Sequence, residues 1–126
     1  MTYTVEYNAN AKIIESHFQG ETDLEELKEV ARKTLQIVQQ TDCLNVLTDL
    51  SDAHLNASVM DLFEHPGQLA EIIQEAGLNV HMLKRAFVAR GEGESFKFYE
   101  DVAVNRGHTV MLFHDLDKAR NWLQEK

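Results

Sequence analysis

Asp49, Ser51 and Asp52 fall close together, directly after the apolar run Leu44-Asn45-Val46-Leu47. Carboxylates at such spacing suit acid–base chemistry. The C-terminal edge of a strand in an open α/β sheet is also where ligands usually bind. Asp and Ser are equally ordinary turn formers that bond their own backbone, so the cluster has a purely structural explanation too. Ser58, with Asp61 three residues on, raises the same choice. A phosphate on a serine at a helix N-terminus is stabilised by unpaired backbone amides and the helix dipole. An unmodified serine there is simply an N-cap.

Other residue types point away from catalysis. Six histidines, His17, His54, His65, His81, His108 and His114, are scattered, with no HxH or HExxH spacing that would preorganise a metal, and no metal is expected. Arg90-Gly91-Glu92-Gly93-Glu94-Ser95 links a strand to a helix as phosphate loops do. It lacks the GxxxxGK[ST] pattern, and Glu92 and Glu94 repel phosphate. Cys43 has no thiolate-stabilising neighbour in sequence and reads as a small buried residue. No GxSxG elbow is present. The chain is therefore expected to be no enzyme and to carry no cofactor. Phe63, Phe96, Phe98, Tyr99, Met60 and Met82 form core or, in a second reading, surround an apolar ligand between helices and sheet.

The formal net charge of −9 over 126 residues repels nucleic-acid phosphates and anionic lipid headgroups, so neither is an expected partner. A basic protein or a small ligand stays compatible. A lone cysteine precludes an intrachain disulfide, and no apolar run reaches the roughly 20 residues of a membrane span. The N-terminal residues lack a signal peptide's basic and apolar regions, so a cytoplasmic location is expected. The length fits one domain, 1–126.

Elements that would position these residues follow from periodicity. Tyr3, Val5 and Tyr7 alternate with polar residues, and 12–18 follow a turn at Asn8-Ala9-Asn10, giving a hairpin. Gly20 is expected to end its second strand, and Thr22 to cap a helix to about Gln40 in a capping box with Glu25. Residues 44–50 read as a buried central strand and 51–56 as a polar loop. Pro66 is expected to stop a short helix near Glu64, before a fuller one from Gly67 to a cap at Gly77. Strands 85–89 and 109–113 alternate with helices beginning at Ser95 and Asp115; the last carries Leu116, Ala119, Trp122 and Leu123 on one face. The fold class is α/β, a mixed five-stranded sheet with four flanking helices in the order β-β-α-β-α-β-α-β-α.

Phe18-Gln19-Gly20-Glu21-Thr22, Leu47-Thr48-Asp49-Leu50 and Ala119-Arg120-Asn121-Trp122-Leu123, with that element order, resemble the STAS and SpoIIAA-like superfamily. These are the small domains of anti-sigma-factor antagonists and their bacterial relatives. The resemblance covers essentially the whole chain and implies a non-enzymatic regulatory or protein-binding module, expected as a homodimer. In true antagonists an Asp-Ser-Ser-Gly-like segment after the central strand presents a serine to a kinase. Only Ser58 occupies a comparable place here; the surrounding acidic, serine and glycine positions differ. Similarity to lipid-exchange domains of the Sec14 type supports the second reading, a carrier or sensor of an apolar small molecule or lipid.

Overall fold

Period-2 patterning at the start of the chain produces strand β1 (Thr2–Asn8), antiparallel to β2 (Ile13–Asp23). Three further strands are laid down parallel to β2 by helical crossovers: β3 (Asn45–Asn56), β4 (Lys84–Val88) and β5 (Thr109–Phe113). The helices are α1 (Leu24–Thr41), α2 (Val59–Glu75), α3 (Gly93–Asn105) and α4 (Leu116–Gln124), with a short 3-10 turn at Val80–Met82. Sheet order follows chain order, β1-β2-β3-β4-β5. The computed structural model describes residues 2–90 and 93–125. The expected element order is the one observed.

Alternation sends the two faces of each strand into different surroundings. Ile14 and Val46 pack with Leu35, Val38, Leu69 and Ile73, beneath α1 and α2. Ile13, Leu47, Ala86 and Val88 point the other way, to Ala119 and Leu123 of α4. Phe96, Tyr99 and Ala103 of α3 join the α1–α2 side. One face is thus covered by three helices and the other by α4. Trp122, expected on one face with Leu116, Ala119 and Leu123, packs at the rim of that cluster: it is half-buried, tilted against Phe113 at 5.7 Å, with the Lys84 ammonium 4.5 Å over its ring.

Four local expectations are corrected. Thr22 is not the N-cap of α1. It lies in β2, paired with Leu55, and Asp23 caps the helix by accepting from the Glu26 N–H at 2.9 Å. Asp and Thr are both good caps, and extended pairing decides between them. Gly20 does not end β2; it continues the strand at φ 86°, a conformation glycine takes without strain. Residues 51–56 are no loop either. They extend β3 and pair with Gln19–Asp23 after a register shift between His17 and Gln19. Finally, α2 runs through Pro66. Arg106 lies against this segment, donating to the Phe63 carbonyl at 3.3 Å, with its Nη1 2.5 Å from where a Cβ on Gly67 would be. The Gly77 expectation holds in substance: with φ 81° it follows the C-cap Ala76, and Leu78 N–H bonds back to Ile73.

Candidate functional sites

Two polar assemblies lie on opposite faces of the sheet. The first is on the α4 side. Glu15 and His17 are two apart on β2 and so share a face; His17 pairs in register with Asp49 of β3. His17 Nδ1 lies 2.7 Å from Asp49 Oδ2 and its Nε2 lies 3.0 Å from Glu15 Oε1. Arg120, from α4, donates to both Glu15 oxygens at 2.8 and 3.0 Å. Asp49 Oδ1 accepts from the Ser51 hydroxyl at 2.6 Å and from the Ser51 N–H at 3.0 Å. Ser51 lies beside the register shift, where a strand's regular pairing is interrupted, so the Asp49 carboxylate supplies an acceptor there.

Electrostatics follow from these contacts. Burial opposes ionisation of Asp49, but the bonds from His17 and Ser51 prevail and bring its pKa down to about 2. Glu15 is likewise resisted by burial and pulled below the usual carboxylate range by Arg120 and His17. The Asp49 bond raises His17, against burial and with help from Glu15. This chain of hydrogen bonds joins β2, β3 and α4. It is not a nucleophilic triad, because Ser51 donates to Asp49 rather than to a histidine.

Of the residues singled out in sequence, Asp49 and Ser51 are brought together. Asp52 is exposed one step beyond, opposite Gln19. Ser58 stands apart at the start of α2, where Asp61 N–H donates to its hydroxyl at 3.1 Å and its own N–H donates to Asp61 at 3.3 Å. That is a complete capping box. Of the Arg90–Ser95 stretch, Gly91 and Glu92 lie outside the described residues. Glu15, His17 and Arg120 were missed; the Glu15/His17 spacing of two on a strand was the available signal.

The second assembly is interior. A cavity of about 60 Å³ lies between the sheet and helices α1 and α2. Its floor is Ser16, Phe18, Val46, Thr48, Arg85 and Phe87; Val30, Thr34 and Leu35 of α1 and His65 and Leu69 of α2 form its roof. None of the Met and aromatic residues expected around an apolar ligand, Phe98 included, lines this cavity. Met60, Phe63 and Met82 are exposed, and Phe96 and Tyr99 are buried outside the cavity lining. Among the floor residues is a guanidinium: Arg85, in a strand covered on both faces, is 5% exposed. Its Nη1 donates to His108 Nδ1 at 3.0 Å and its Nη2 to the Tyr99 hydroxyl at 3.4 Å. Tyr99 OH also lies 2.7 Å from His65 Nδ1. Burial lowers the pKa of His65 to about 3, with the positive charges of Arg85 and Lys28 adding to it. Burial and Arg85 bring His108 to about 4.

Among the described residues, no group of three or more His, Cys, Asp and Glu side chains is arranged to hold a metal ion, and no helix is long and apolar enough to cross a membrane. Comparison with known proteins finds no matching family model, no matching curated protein and no matching solved structure.

Proposed function

We propose that this chain is a non-enzymatic binding domain of the STAS and SpoIIAA-like type that acts in the cytoplasm as a carrier or sensor of a small, largely apolar molecule. The supporting observation is the cavity between the sheet and α1–α2, bounded mostly by aliphatic and aromatic side chains. Protein interiors are close-packed, and a void there forfeits dispersion contacts along its whole lining. An apolar occupant restores them. Native mass spectrometry of untagged protein from its own host tests the reading. A non-covalent small-molecule adduct is expected, lost on denaturation and missing from an Ala31→Phe variant that fills the cavity. No adduct in the parent, or one indifferent to Ala31→Phe, contradicts it.

A regulatory, protein-binding role for a homodimeric domain is the second reading, and one observation favours it. Beyond the Asp49–Val88 pair, β3 continues without β4, and Asp52, His54 and Asn56 are exposed along this extension, which leads to Ser58. Among the described residues no further strand pairs with this extension, and such a strand edge is a template for a partner's strand. A partner recovered by pull-down should then distinguish Ser58→Asp from the parent by about 1 kcal/mol. Equal binding by parent, Ser58→Ala and Ser58→Asp removes Ser58 from that role.

A further inference from the structure

The cavity has a polar end whose hydrogen-bonding capacity is incomplete. Tyr99 has one hydroxyl hydrogen and two bonded neighbours. Arg85 can only donate, so the hydroxyl accepts from Arg85, and His65 Nδ1 is its one bonded neighbour able to take the hydrogen. His65 is therefore the tautomer carrying its hydrogen on Nε2. That Nε2 is buried with no hydrogen-bond partner, on a side chain only 3% exposed. The ring lines the cavity, whereas Tyr99, at its Nδ1, does not.

Arg85 makes the same demand more strongly. Both of its bonded partners, His108 and Tyr99, are neutral groups. No carboxylate among the described residues lies within ion-pair distance of it. Arginine is almost never buried without a counter-charge, because the cost of removing it from water is then uncompensated. The depressed pKa values of His65 and His108 reflect that positive charge as well as burial. In a chain of net charge −9, a buried guanidinium with no carboxylate side chain beside it is a specific feature.

We infer that the cavity takes a short-chain carboxylate, its oxygens bound by the Arg85 guanidinium and the His65 Nε2–H and its alkyl part lying against Val46, Leu35 and Leu69. This deepens, and rests on, the small-molecule reading proposed above. The guanidinium fork matches a carboxylate in shape and charge. The hydroxyl-bearing residues Ser16, Thr34 and Thr48 also line the void. Its size, enough for roughly four to six water molecules, limits the ligand to a small acid rather than a long-chain lipid.

Isothermal titration of the intact protein with butyrate, butanol and butylammonium tests this. Butyrate should bind at least about tenfold more tightly than butanol, as expected for bonds to a charged group, and butylammonium should not bind. Arg85→Leu should abolish the preference for butyrate over butanol; the ranking of ligands on the parent needs no variant to fold. Equal affinity of the parent for butyrate and butanol overturns the carboxylate assignment and leaves the apolar-ligand reading standing. Binding of neither, with the cavity holding water only, overturns both.

Discussion

Lowering the pH from about 7 to about 5 should weaken the fold through His65, in an amount the structure sets. The unfolded imidazole titrates near its ordinary 6.5, whereas burial and the charges of Arg85 and Lys28 hold the folded one at about 3. Across this window the unfolded state binds the proton and the folded state does not, so stability falls as pH falls. From 6.5 to about 5 is about 1.5 pH units, each worth about 1.4 kcal/mol, so the loss is about 2 kcal/mol. His108, also depressed, acts in the same direction but is more screened. His17 acts in the opposite direction: its pKa is raised, so its stabilisation is complete below 6.5 and disappears as pH rises through the raised value. Asp49 and Glu15, both lowered, lose their contribution only when pH falls below the ordinary carboxylate range. Urea denaturation of the parent and of His65→Phe at both pH values separates these effects. The variant loses the Tyr99 bond at either pH but cannot titrate, so its deficit relative to the parent should shrink by about 2 kcal/mol at the lower pH. A deficit that is the same at both pH values refutes the assignment of His65 as a buried neutral donor.

Three further outcomes are expected. Asp23→Ala should cost about 1 kcal/mol in urea denaturation as a lost N-cap, while Thr22→Val, which removes a buried hydroxyl that has no partner, should be neutral or stabilising; the reverse order would restore Thr22 as the cap. Ser58→Ala should also cost about 1 kcal/mol, and an unchanged denaturation midpoint would contradict the capping box at α2. Arg120→Ala strips the bidentate partner from Glu15, a residue 2% exposed, and should cost about 3 kcal/mol, the lower end for a broken buried pair because Arg120 is partly solvated and His17 remains. A loss below about 0.5 kcal/mol would place that pair with ordinary surface ion pairs.

Element order was readable because each crossover helix carries its own period and each strand its own apolar run. The extent of β2 and β3 was not. Gln19–Asp23 is polar and contains Gly20, and Ser51–Asn56 is mostly polar, so their propensity points to loops, and only mutual pairing makes them strands. Pro66 misled for a related reason: its local preference ends a helix, but tertiary packing around His65, Leu69 and Ile73 carries α2 through. At the first assembly, Asp49 and Ser51 were visible as neighbours in sequence, whereas His17 and Arg120 reach them only through strand register and the return of the last helix. At the second, the signal lay in Lys84-Arg85-Ala86-Phe87-Val88. An arginine in phase with Phe87 on a central parallel strand, where apolar residues are expected on both faces, marks a buried charge.

Occupancy of the cavity is tested most directly by methyl NMR of the protein titrated with butyrate. Saturable shifts should appear on the methyl groups of Val30, Leu35, Val46 and Leu69, which line the void, while Leu47 and Leu123 on the α4 side stay unmoved. Shifts scattered over the surface, or on the α4 side, or none at the highest concentration of the acid at which the protein stays folded, would contradict the account.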